Sequence, residues 1–233
     1  VVVSAWMLAA SQDINGPPGR FWSLVLMMVC CGMLIFQPDF GQACIVFFGW
    51  AVMYFVAGAP MALLLALAGL AVAIGVVAYG HSEHFARRID GFLYPDFDPT
   101  SQLGYATNAI REGGILGVGV GEGQVKWSLP DAHTDFIIAV AAEEFGLIMV
   151  LIIIALYMSI VVRTLLRLMR ERDPFIRLAG TGLACIFGIQ AFINLGVAVR
   201  LLPAKGMTLP FVSYGGSSPV SYTHLRAHET EEN

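Results

Sequence analysis

Residues 61–79 carry no charged side chain, and residues 21–36, 43–59, 136–162 and 178–199 are nearly as apolar. A hydrocarbon layer about 30 Å thick is crossed by about 20 helical residues rising 1.5 Å each. Inside lipid every backbone N–H and C=O must find a partner within the protein, which leaves helices and closed barrels as spanning structures. These runs are too long and too uniformly apolar for barrel strands, so they predict transmembrane helices. The composition agrees: 57% of the 233 residues are hydrophobic and 13% charged, with a mean hydropathy of +0.73, outside the balance of a soluble domain. The expected fold is all-α, a polytopic transmembrane helical bundle forming one membrane domain over residues 1–220. No polar stretch is long enough for a second core. The formal net charge of -4 says little about partners, and nucleic acid is not expected among them.

The residues between the runs carry the remaining information. Residues 1–10 read as the end of a truncated helix, 11–20 as a Pro- and Gly-built loop, and Gly58 with Pro60 as a tight turn. Residues 80–133 hold charge, proline and glycine and are expected to form a large loop of functional rather than connecting character. Arg163, Arg167, Arg170, Arg172 and Arg177 crowd a short segment in which Asp173-Pro174 breaks the helix. By the positive-inside rule that segment is cytoplasmic. Counting spans outward makes the loop at 11–20 and the Gly58 turn cytoplasmic too, with the turn at 37–41, the large loop and residues 200–218 on the opposite face. Residues 221–233 turn polar and acidic and read as a foreign or frameshifted tail; the i, i+4 pair His224 and His228 there is not taken as a metal site.

Polar residues concentrate at 113–146. Asp135, at the mouth of an apolar helix, is either part of a first turn capped by Thr134 or a general base at the membrane surface. Gly117, Gly119, Gly121 and Gly123 either let backbone amides approach a partner or an anion, or permit a tight irregular path. Glu143 and Glu144 stand about two turns into the helix, Glu143 on the Asp135 face. Buried carboxylates at such depth face a cavity or a partner, so arginine pairing and catalysis are both open. Asp39, Arg87, Arg88 and Lys205 read as solvated surface charge or as the cationic and supporting lining of a phosphate site. His81 and His84 read as a solvated helix end or a metal pair. Residues 213–218 read as a glycine bend re-entering the membrane. Cys30, Cys31, Cys44 and Cys185 lack disulfide or zinc spacing and read as small core residues.

Taken together, Gln37-Pro38-Asp39-Phe40-Gly41, Leu129-Pro130-Asp131-Ala132-His133-Thr134-Asp135-Phe136, Ala142-Glu143-Glu144-Phe145-Gly146, Gln190 with Asn194, Leu202-Pro203-Ala204-Lys205-Gly206 and Leu209 through Ser218 resemble the signatures of the SEDS family (shape, elongation, division and sporulation), in order and up to about residue 220. Lys205 in its Pro-Ala-Lys-Gly setting is closer to the cell-division branch than to the elongation branch. Relative to the family pattern, the first helices and the last one are missing. The resemblance implies a multi-pass glycosyltransferase of the bacterial inner membrane at the division septum. It would polymerise lipid II into glycan strands beside a class B penicillin-binding protein, other divisome membrane proteins and membrane lipids. It maps the family's essential aspartate onto Asp135 and a functional lysine onto Lys205. Arg87, Arg88, His133, Gln124, Ser213 and Ser217 are then candidates for substrate contacts. Asp39, Glu143 and Glu144 become supporting residues, and a divalent cation (Mg2+ or Mn2+) is a candidate at the pyrophosphate.

Other readings of the same features are a lipid II flippase, because broken helices and intramembrane carboxylates also mark transporters, and a scaffold that only recruits division proteins. The topology is directly testable. A cysteine at Ser101→Cys should react with a membrane-impermeant maleimide in intact spheroplasts, and one at Ser11→Cys only after permeabilisation; the reverse pattern would invert the orientation.

Overall fold

The computed structural model describes residues 1–13, 16–37, 39–81, 83–93, 102–124, 136–199, 201–202 and 208–213. Among them there are helices and turns but no strand. The helices are α1 (Val2–Ala10), α2 (Gly19–Phe36), α3 (Phe40–Val56), α4 (Met61–His81), α5 (Glu83–Leu93), α6 (Gln102–Gly113), α7 (Ile137–Leu168) and α8 (Pro174–Ala198). α2, α4, α7 and α8 are long and apolar enough to cross a membrane, with α3 a shorter apolar helix. The chain is therefore a multi-pass membrane protein. Two expectations need correction. The large loop is partly helical, since α5 and α6 lie within it, and the arginine-rich segment is divided between the end of α7, which runs on to Leu168, a short turn and the start of α8 at Pro174.

The helices cluster into two compact units, one of residues Val1–Ile89 and Leu156–Ile189, the other of Asp90–Ala155 and Gln190–Asn233. In the first, α1, α2 and α3 pack around Leu8, Met27, Trp50, Met53 and Leu178. Lipid is as apolar as leucine, so helix association in a membrane rests on close packing and hydrogen bonds rather than on water exclusion. Both devices are present. The Trp50 indole N–H donates to the buried Ser23 hydroxyl at 2.8 Å, and Trp50 stacks on Tyr54 with centroids 4.4 Å apart. Gly49 leaves the space that Ile186 fills, and Gly182 the space that Met53 fills. The Arg20 guanidinium donates to the Ala57 carbonyl at 3.0 Å, satisfying an orphan acceptor at the end of α3. That contact joins the end of the 11–20 loop to the Gly58 turn, as expected of two segments on one membrane face.

The cap of α8 is legible from Asp173-Pro174: the Asp173 carboxylate accepts from the amides of Phe175 at 2.8 Å and Ile176 at 3.1 Å, and proline takes the first helical position, where no donor is needed. Cys30, Cys31 and Cys185 are partly buried, whereas Cys44 is exposed rather than a core residue.

The second unit holds the feature the sequence reading missed. α7 is interrupted at Gly146, whose φ of 75° and ψ of -176° lie in a region open essentially to glycine alone. In a continuous helix Leu147 and Ile148 would donate to the carbonyls of Glu143 and Glu144. Instead Val118 and Gly119 donate to those carbonyls at 2.9 and 3.2 Å, while Leu147 and Ile148 donate to Gly114 and Ile115 at 3.0 and 3.4 Å. The glycine-rich segment thus takes over both halves of two broken helical bonds. Side chains would block this approach: a Cβ on Gly117 would run into the Glu144 carbonyl, and one on Gly146 into the Ile115 carbonyl.

Gly146→Ala should therefore destabilise the protein by at least about 3 kcal/mol, combining backbone strain with the clash at Ile115. The melting temperature of the purified protein would read this. Gly69→Ala, where a Cβ meets nothing within 4 Å, should leave it unchanged or raise it.

Candidate functional site

α6 brings Ala106 and Ala109 against Phe136, Ala139 and Val197, a buried apolar cluster with Tyr105, Ile193 and Leu202 around it. Small residues on both helices allow the approach, and Gly113 at the end of α6 meets the Ala142 carbonyl with no room for a side chain. Phe136, buried in this cluster, anchors the start of α7. Its carbonyl accepts from the amides of Ala139 at 2.9 Å and Val140 at 3.2 Å, which puts Phe136 itself in the capping position. The alternative of a cap at Thr134 lies outside the described residues, among which α7 begins at Ile137. Asp135 precedes the buried anchor by one residue in sequence.

Further along α7, Glu143 is 1% exposed. Its carboxyl group lies over Gly123, where an added Cβ would come within 2.8 to 3.1 Å of the carboxyl atoms. The first nine residues of α7, the glycine segment and the buried carboxylate therefore form one interlocked piece. Glu144 is half-buried and Gln124, next to Gly123, is exposed. Placing a carboxylate in so apolar a setting is costly and in membrane proteins accompanies a functional or cavity-lining role.

On the α8 side, Asn194 is buried and the Gln190 amide donates to the Thr208 carbonyl at 3.2 Å. That bond ties the loop after α8 back to the helix. Within the loop the Ser213 hydroxyl accepts from the Leu209 amide at 2.8 Å, both residues being buried, so Ser213 closes a local turn.

Asp39 and Arg87 belong to the first unit. Asp39 caps α3 by accepting from the Gln42 amide at 3.3 Å. Arg87 pairs with Glu83 one turn away at 3.0 Å, both side chains being well exposed, so solvent screens the pair and it adds little stability. His81 donates through Nδ1 to the Val77 carbonyl at 3.0 Å. Asp135, His133, Lys205 and Ser217, like the side chains of Arg88 and His84, lie outside the described residues. Gly146, quoted in the sequence only as part of a motif, is the site residue whose structural role sequence reasoning overlooked. A glycine inside a long apolar helix was the available signal.

The arrangement has counterparts among known proteins. The family model described as "Cell cycle protein" (FtsW, RodA and SpoVE) matches residues 1–227. A Caulobacter vibrioides protein named "Probable peptidoglycan glycosyltransferase FtsW" is 42% identical over 218 residues, covering 94% of this chain and 56% of the relative. A relative of the same name from Trichlorobacter lovleyi is 39% identical over 199 residues, covering 84% of this chain and 52% of its own. Among solved structures, one described as "Structural coordination of polymerization and crosslinking by a peptidoglycan synthase complex" superposes with a TM-score of 0.72 at 31% identity, covering 94% of this chain and 62% of that one. The rod shape determining protein RodA of Thermus thermophilus, in its D255A form, gives 0.60 at 27% identity, covering 94% and 59%. The chain spans little more than half the length of these curated relatives. With the family model matched over residues 1–227 and relatives about 40% identical over most of the chain, this chain belongs to the FtsW, RodA and SpoVE family of cell cycle proteins.

Proposed function

We propose that this chain carries the catalytic portion of a peptidoglycan glycosyltransferase of the bacterial inner membrane, which polymerises lipid II into glycan strands at the division septum. The observation that carries the reading is the 42% identity, over 94% of the chain, to a relative of that printed name. The interlocked start of α7 adds to it, because it offers a rigid platform directly after Asp135. Asp135 acts as general base: its carboxylate takes the proton of the acceptor sugar's 4-hydroxyl as that oxygen attacks the donor's anomeric carbon. The bond from that carbon to the pyrophosphate breaks, its electron pair leaves with the lipid pyrophosphate, and the configuration inverts.

Lys205 offsets the charge gathering on the leaving group, while His133, Gln124 and Ser217 contact the sugars. Glu143 and Glu144 support the platform, with Ser213 in the loop after α8. Among the described residues no three His, Cys, Asp or Glu side chains gather as a metal site. They do not fit a Mg2+ or Mn2+ ion by themselves, and no step here is routed through one. By analogy with the synthase complex among the solved structures, the partner is a class B penicillin-binding protein that crosslinks the strands, with other divisome membrane proteins and membrane lipids around it.

The equivalent of Asp135→Asn in a full-length relative, supplied with lipid II in detergent, should lower glycan polymer by about a hundredfold or more while helix content and elution stay unchanged. Undiminished polymer would refute the assignment. Lipid II reorientation across vesicles without any polymer would favour the flippase reading.

A further inference from the structure

The end of α7 and the start of α8 concentrate Arg163, Arg167, Arg170, Arg172 and Arg177 against two acids, Glu171 and Asp173. Both acids are engaged by backbone: Glu171 accepts from the amides of Arg172 at 2.9 Å and Asp173 at 3.3 Å, and Asp173 caps α8. Among the described residues the recorded ion pair is Arg87 with Glu83, so none of the five arginines is neutralised by a carboxylate there. The buried Nε of Arg177 has no hydrogen-bond partner.

Helical spacing puts Arg163, Arg167 and Arg170 within an arc of about 60°. The chain stays wound through that stripe, with Arg170 donating to the Arg167 carbonyl at 3.1 Å. All three are exposed, and with Thr164, Leu166 and Met169 they line an open groove of about 950 Å³. Residues 147–162, the part of α7 after the Gly146 break, are free of charge and as helix cover about 24 Å, most of the hydrocarbon thickness. Arg163 therefore falls at the edge of the apolar layer, and Arg167 and Arg170 at headgroup level. Leu166 and Met169, exposed beside them, suit an acyl chain rather than an aqueous anion. The guanidinium fork suits phosphate, and uncompensated basic residues at the cytoplasmic end of a span are drawn to anionic lipid.

We propose that Arg163, Arg167 and Arg170 form a binding site for the phosphate headgroup of an anionic phospholipid in the cytoplasmic leaflet. The test uses the full chain purified in neutral detergent and titrated with phosphatidylglycerol, with phosphatidylcholine of the same acyl chains, or with inorganic phosphate, bound lipid being read by native mass spectrometry. Phosphatidylglycerol should bind about tenfold or more tighter than phosphatidylcholine and weaken as salt rises. Each Arg→Gln change in the stripe should cost roughly fivefold and the triple variant about a hundredfold. A triple Arg→Lys variant, keeping charge without the fork, should lose less, and Arg111→Gln, on α6, should lose nothing. Equal binding by the triple variant, equal affinity for the two lipids, or displacement of phosphatidylglycerol by inorganic phosphate at about 1 mM would each overturn the site. The last would mark an aqueous anion or an acidic protein as the occupant. Circular dichroism checks the fold, and if the triple variant does not fold, the three single variants decide by the same criteria.

Discussion

A backbone amide or carbonyl left without a partner in hydrocarbon costs several kcal/mol, and the second unit is arranged around meeting that demand where α7 breaks. Breaking a helix in lipid releases donors and acceptors that water would satisfy elsewhere. Here the segment after α6 supplies the replacements, amides from Val118 and Gly119 and carbonyls from Gly114 and Ile115. The break and the glycine segment therefore stand or fall together, and neither has a physical reason to exist without the other.

What the break achieves is local stiffness in the helix start that follows Asp135 in sequence. An unbroken α7 could slide or rotate along its packed face, whereas a helix start pinned by Phe136, by the Gly113 contact at Ala142 and by four crossing hydrogen bonds cannot. Placing catalytic groups on rigid supports is how proximity is turned into rate, and the buried Glu143 over Gly123 extends the support into the loop. The first unit is held differently, by aromatic stacking, the Trp50–Ser23 bond and small residues between helices.

Much of this was legible in the residues. The apolar runs gave helices at nearly the expected places because length and hydropathy are local quantities, and Asp173-Pro174 announced a helix break for equally local reasons. Motif order pointed to the family that the comparisons then showed. The glycine alternation was read as permitting either an approach to a ligand or an irregular path. It serves the path at Gly117 and Gly119, which meet backbone of the same chain. That Phe136 is buried among Ala106, Ala109, Ala139 and Val197 was not legible, because it depends on helices far apart in the chain coming together.

Sequence alone determined that the chain spans a membrane as helices, where its charges gather and which family its motifs match, since all three follow from side-chain chemistry read residue by residue. Only the tertiary structure decided that α7 is broken at Gly146 and that Glu143 is buried over Gly123. Those outcomes depend on which backbone groups, far apart along the chain, come within hydrogen-bonding distance. No local pattern encodes that.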